Sequence, residues 1–126
     1  MEMVIGGAFQ GKAAFAEKMY PGISWVKGEE ISREELFTAQ GVVGFHDFIK
    51  KEMEAGNSVA DLAEELIRKN PEVILVSDEV GYGVVPTDAF QRAYREAVGR
   101  VCTQLASCSR KVTRVVCGIG TVLKHD

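Results

Sequence analysis

The sequence predicts an α/β fold, a mostly parallel sheet with helices on both faces, in a single domain over residues 1–126. Three observations predict it. Val73-Ile74-Leu75-Val76 is a continuous aliphatic run, the pattern of a strand buried on both faces at the centre of a parallel sheet. Short apolar runs alternate with segments of helical periodicity, which implies right-handed crossovers between parallel strands. Met3-Val4-Ile5 runs into Gly6-Gly7, and Lys12 to Met19 then carries Ala14, Phe15 and Met19 at helical spacing, so the chain starts as strand, glycine turn and helix. With 126 residues, 46% of them hydrophobic, the chain can close one core without disulfide or metal staples.

The remaining elements follow in order. Tyr20-Pro21-Gly22 stops the first helix, and Ile23 to Val26 is a brief β-prone stretch. Ser32 with Glu35 three residues on forms a capping box for a short helix, which Gly41 can end. Val42 to Phe45 reads as a buried strand, followed by a helix from about Asp47 to Ala55 that Gly56-Asn57 breaks. Ser58 and Asp61 open another helix, with Val59, Leu62, Ala63, Leu66 and Ile67 as its inner stripe up to Asn70-Pro71. After the central strand and a loop from Asp78 to Pro86, Thr87 can cap a long helix in which Phe90, Tyr94, Ala97, Val101 and Leu105 recur at intervals of three and four. Ser107 to Lys111 is a turn, Val112 to Cys117 the last main strand, and Gly118-Ile119-Gly120 bends the chain before Thr121 to Leu123. In such sheets ligands bind at the carboxyl ends of the strands, where Gly6, His46, Ser77 and Gly118 would gather.

One motif lies at that edge. Gly6-Gly7-Ala8-Phe9-Gln10-Gly11-Lys12-Ala13 fits the phosphate-loop pattern G-x-x-x-x-G-K-S/T except at its last position, where Ala13 replaces a hydroxyl. Glycines let successive amides converge on an anion, the following helix adds its positive end, and Lys12 would reach the terminal phosphates as a point charge. The missing hydroxyl weakens magnesium placement without forbidding it, because magnesium keeps several waters and few protein ligands. Of the two carboxylates after the central strand, Glu79 is the preferred candidate to assist magnesium and catalysis. The loop Glu79 to Pro86 is unusually apolar and glycine-rich, as expected of a segment packed on a ligand or another subunit, or of a tight structural loop. His46 past the second strand could serve as a base or nucleophile, but a histidine at a helix start is more often structural.

Composition excludes other classes. A net charge of −3 with interspersed signs offers no basic stripe for nucleic acid. Cys102, Cys108 and Cys117 form an odd set without C-x-x-C spacing, which argues against a disulfide framework or zinc site and for a reducing cytoplasm. No apolar run approaches a membrane span and no secretion signal is evident, so neither a membrane nor a nucleic acid is an expected partner.

Three further motifs carry a resemblance. Val76-Ser77-Asp78-Glu79-Val80-Gly81-Tyr82-Gly83-Val84-Val85-Pro86, then Ala97-Val98-Gly99-Arg100-Val101-Cys102-Thr103-Gln104-Leu105-Ala106, then Cys117-Gly118-Ile119-Gly120 follow the glycine loop in sequence. This succession resembles the adenosylcobinamide kinase/adenosylcobinamide-phosphate guanylyltransferase family of cobalamin biosynthesis, whose corresponding motifs read T-N-E-V-G-x-G-I-V-P, A-G-R-V-N-Q-x-L-A and S-G-I-G. The resemblance implies a P-loop NTPase-like (RecA-like) sheet, GTP or ATP with Mg2+ as cofactors, a cobinamide-type substrate and a homo-oligomer. The chain departs from the family in three places: Ala13 lacks the loop hydroxyl, Gly44 stands about where the family has a strand carboxylate, and no Arg-His pair exists to supply the histidine that becomes guanylylated. The resemblance therefore implies a shortened, divergent member that binds nucleotide through residues 6–13 and retains kinase chemistry more readily than guanylyl transfer, with a binding or regulatory paralogue as the alternative.

Overall fold

The computed structural model describes residues 1–80 and 88–126. Among these residues a six-stranded sheet has the order β2-β3-β4-β1-β5-β6. The chain runs β1 (Glu2–Gly6), α1 (Lys12–Met19), β2 (Trp25–Lys27), α2 (Arg33–Leu36), β3 (Gly41–Val43), α3 (Phe45–Glu54), α4 (Leu62–Lys69), β4 (Ile74–Asp78), α5 (Ala89–Cys108), β5 (Lys111–Val116) and β6 (Ile119–His125). Strands β1 to β5 are mutually parallel, and β6 alone is antiparallel, folded back on β5. The mostly parallel α/β sheet of the P-loop NTPase-like class is thus present, with β4 interposed between β1 and β3.

Strand alternation divides the interior into two layers. Met3, Leu75 and Val112 lie in register across β1, β4 and β5 and face the larger core, built with α3, α4 and α5 from Phe45, Phe48, Leu62, Leu66, Val101 and Leu105. Val4, Val76 and Val115 point the other way, onto Ala16 of α1, with Phe15, Tyr20, Trp25 and Val43 around them. Successive side chains of a strand take opposite faces, so one aliphatic run at β4 serves both layers. Helices on both faces are required by this pattern.

Local sequence signals set most element ends. Ser32 Oγ accepts from the Glu35 amide while Glu35 Oε1 accepts from the Ser32 amide, the expected capping box of α2. Several boundaries differ from expectation, among them those of β2 (Trp25–Lys27) and β6 (Ile119–His125). Phe45 is not the end of a strand but the first residue of α3, because Gly44 takes a left-handed φ of 75° and turns the chain directly into helix. Helix α2 closes at Leu36, and Gly41 opens β3. Helix α5 continues to Cys108, consuming part of the expected turn, and β5 starts at Lys111. Asp88 caps α5 by accepting from the Gln91 amide; the capping role expected of Thr87, like the loop over residues 81–87, falls outside the described residues.

The larger core sets stability. Replacing the fully buried Leu66 with Ala is expected to cost about 2–5 kcal/mol, whereas Val122→Ala on the exposed hairpin should stay within about 0.5 kcal/mol. Urea unfolding of both variants checks this; equal losses would contradict the assignment of the core.

Candidate functional site

Parallel pairing brings the site together. Gly6, the last residue of β1, is in register with Asp78, the last residue of β4, and Glu79 extends the ladder by donating its amide to Gly6 O at 2.7 Å. The chain leaves β1 through residues 7–11 and enters α1 at Gly11, whose φ of 83° is the left-handed geometry that glycine adopts without steric cost. The loop is fastened to the β5–β6 turn: Gln10 Oε1 accepts from the Cys117 amide at 2.7 Å, and Gln10 O accepts from the Gly118 amide at 2.8 Å. Phe9 at the tip has a left-handed φ of 62° and a fully exposed ring.

Lys12 is the first residue of α1 and only 8% exposed. Its Nζ donates to Gly7 O at 2.8 Å and lies 2.6 Å from Asp78 Oδ1. A cation this shielded requires a partner, and Asp78 supplies the opposite charge. Asp78 continues the Val4 and Val76 side of the sheet, the side that carries α1. Glu79 falls on the opposite side, where its Oε1 accepts from Arg114 Nε at 2.9 Å. By this alternation the carboxylate beside Lys12 is Asp78, while Glu79, the carboxylate preferred from the sequence, is paired with Arg114 on the other side of the sheet.

His46 stands in the first turn of α3 and is 14% exposed. The Asp78 amide donates to its Nδ1 at 3.0 Å, while its Nε2 lies 3.3 Å from Asp78 Oδ2 and 3.5 Å from Asp47 Oδ2. Because Nδ1 accepts a hydrogen bond, neutral His46 carries its proton on Nε2, facing those carboxylates. Residues 9–14, Gly44, His46, Asp47 and Asp78 line a common cavity of about 300 Å³. Of the residues expected to gather at this edge, His46 lines the cavity, Gly6 ends β1 opposite Asp78, and Gly118 donates its amide to Gln10 of the loop; Ser77 is fully buried beneath the site, with Cys102 Sγ 3.9 Å from its hydroxyl.

Among the described residues, few side-chain oxygens at the cavity are unengaged. Ala13 and Gly44 offer no side-chain oxygen, Glu79 is engaged by Arg114, and Asp78 is engaged by Lys12. Among the described residues no group of three His, Cys, Asp or Glu side chains is placed to hold a metal ion. Any divalent ion would have to come with the phosphates and waters of its ligand.

Two residues were underweighted by sequence reasoning. Asp78 was detectable from the period of β4, since it shares the side of Val76. His46 could be placed past a strand, but its bond to an amide 32 positions away has no local signal.

A glycine loop closing on a lysine at the carboxyl edge of a parallel sheet defines a P-loop NTPase-like protein. The sequence pattern of the family described as cobinamide kinase / cobinamide phosphate guanyltransferase (CobU) matches residues 33–123, and the chain belongs to that family. The bifunctional adenosylcobalamin biosynthesis protein CobU of Escherichia coli strain K12 is 36% identical over 78 residues, 62% of this chain and 43% of that protein. The protein of the same name from Salmonella typhimurium strain LT2 is 35% identical over 78 residues, again 62% of this chain and 43% of the relative. The matched stretch therefore spans less than half the length of either relative. The glycine loop precedes the family match, so its assignment rests on its own sequence and geometry.

The cysteines are not poised for chemistry. Burial pushes the Cys102 thiol up from 9.0 to about 11, partly opposed by its contact with Ser77, whereas Cys108 and Cys117 are exposed. In the folded protein at pH 8, a thiol reagent should modify Cys108 and Cys117 promptly and Cys102 only after unfolding, as read by mass spectrometry of the labelled peptides. A raised folded-state value means that the contribution of Cys102 to stability is present below pH 9 and is lost as pH rises toward 11. Prompt labelling of Cys102 at pH 8 would contradict its burial.

Proposed function

We propose that the chain is a nucleotide-binding protein of cobalamin biosynthesis. It binds the phosphates of GTP or ATP through residues 6–13 and transfers the terminal phosphoryl group to a hydroxyl of a cobinamide-type substrate. The observation that carries this reading is Lys12, buried at the base of the glycine loop and inside the cavity at the carboxyl edge of the sheet. In this reading Lys12 exchanges Asp78 for phosphate oxygens, and the amides from Ala8 to Ala13 with the N-terminus of α1 complete the cradle. Lys12 then stabilises negative charge as it moves from the acceptor oxygen to the departing nucleoside diphosphate. The P–O bond to the acceptor forms as the bond to the leaving diphosphate breaks, and the acceptor's hydroxyl proton passes to solvent.

Guanylyl transfer through a histidine intermediate is not part of the proposal. The chain has no Arg-His pair, and both nitrogens of His46 are occupied, Nδ1 by the Asp78 amide and Nε2 by its proton. The names of the two relatives support the pathway and bifunctional chemistry for those proteins; only the kinase part is carried to this chain. Unbridged thiols support a reducing, cytoplasmic setting. Exposed Val116, Ile119, Val122 and Leu123 on the β5–β6 hairpin support a homo-oligomer.

GTP or ATP should raise the melting temperature, with about 2.7 kcal/mol of stabilisation at about 100 times Kd, and Lys12→Ala should remove most of the gain. Equal gains in mutant and wild type would defeat the cradle. In transfer assays with cobinamide and magnesium, γ-labelled nucleotide is expected to label cobinamide, and α-labelled GTP is expected to leave the protein unlabelled. Label in neither place at high protein concentration would replace the kinase reading with that of a binding paralogue.

A further inference from the structure

Asp78 is held in a way that the proposed reaction does not explain. Its two carboxylate oxygens bridge two groups of the cavity: Oδ1 lies 2.6 Å from Lys12 Nζ and Oδ2 lies 3.3 Å from His46 Nε2. Lys12 and His46 come from different helices, α1 and α3, and meet only across this carboxylate. The His46 ring is locked in orientation because the Asp78 amide donates to Nδ1 at 3.0 Å. That bond fixes the proton on Nε2, an N–H donor on a residue that lines the same cavity as Lys12. Lys12 Nζ and His46 Nε2 thus both lie within 3.3 Å of one carboxylate, so the chain's own Asp78 stands where a ligand oxyanion would meet both groups, with Asp47 Oδ2 3.5 Å from Nε2.

We propose that His46 is the second phosphate-binding residue of this site, its Nε2–H and Lys12 Nζ together clamping the phosphoryl group that displaces the Asp78 carboxylate from between them. The inference rests on the nucleotide-binding reading and adds a residue to it. His46 acts as a hydrogen-bond donor and never as a covalent acceptor, since neither ring nitrogen has a free lone pair in this arrangement. Asp78 is an internal anion that the incoming phosphate must outcompete. The ligand class is a terminal phosphoryl group, whether on a nucleoside triphosphate or as free phosphate.

Conservative variants separate this role from a structural one. Asn at position 46 places an oxygen near Nδ1 and can still accept from the Asp78 amide, but offers no donor at the Nε2 position. Gln reaches the Nε2 position with an amide N–H and gives up the Nδ1 contact. Calorimetric titrations of wild type, His46→Asn, His46→Gln, Asp78→Asn and Lys12→Ala with ATP, GTP and inorganic phosphate are therefore compared.

The expected results are that His46→Asn weakens triphosphate binding about tenfold or more, His46→Gln stays within about threefold of wild type, and Asp78→Asn tightens binding about tenfold. Inorganic phosphate binding as tightly as ATP identifies a free-phosphate site; preference for the triphosphates identifies a nucleotide's terminal group. The inference is overturned if His46→Asn binds like wild type while His46→Gln is weakened, or if Asp78→Asn binds no tighter. Loss of binding in Lys12→Ala with no effect at His46 sinks the clamp but leaves the nucleotide-binding reading standing; no binding by wild type sinks both. Independently of variants, ¹⁵N spectra of the histidine side chains in the wild-type protein should show the His46 proton on Nε2 at neutral pH, and a proton on Nδ1 would overturn the inference.

Discussion

The parallel pairing of β1 with β4, in the register that sets Gly6 opposite Asp78, is the constraint on which the rest of the site depends. It ends two strands at the same height, so the loop leaving one meets the carboxylate ending the other. The Lys12–Asp78 ion pair then spans from helix to strand, and the Asp78 amide fixes His46 on a third element. A one-residue slip of β4 would turn Asp78 to the other side of the sheet and leave the shielded lysine uncompensated. Fold and site are thus coupled through one register, and that register is enforced by Val4 and Val76 on one side and Met3 and Leu75 on the other.

The departures from a magnesium-dependent phosphate site concern oxygen ligands more than anion contacts. Ala13 and Gly44 remove side-chain oxygens, while the glycine loop, the lysine and the helix N-terminus remain. Gly44 has a structural reason to be glycine: its φ of 75° turns β3 straight into α3. A Cβ there would also come within 3.0 Å of Asp47 Oδ2. The carboxylates near the cavity, Asp47 and Asp78, come instead from the first turn of α3 and the end of β4.

Much of the fold was legible because its signals are local. The aliphatic run at β4, the glycine turn before α1 and the Ser32/Glu35 capping box each specify an element through nearest neighbours. The stripe on α5 was legible for the same reason, with Tyr94, Ala97, Val101 and Leu105 all buried. Element ends were less so. Phe45 reads as the last residue of a strand by hydrophobicity, and only the left-handed turn at Gly44 makes it the first of a helix. At the site, Lys12 was legible from its loop, but the choice of Glu79 over Asp78 was not resolved by sequence order; it turns on which face of β4 meets α1. The contact between His46 and the Asp78 amide joins α3 to β4 through tertiary packing, and no spacing rule reports it.

The central claim is that the loop over residues 6–13 holds the phosphates of a nucleotide. Backbone amide spectra recorded while GTP or ATP is added test it most directly, with the corresponding nucleoside as a control lacking phosphates. The account predicts that the amides from Gly7 to Ala13 and that of Asp78 shift with the triphosphate and stay in place with the nucleoside. Shifts confined to the apolar cavity between α5 and β1, around Met3, Val98 and Cys102, with the loop amides unmoved, would contradict it.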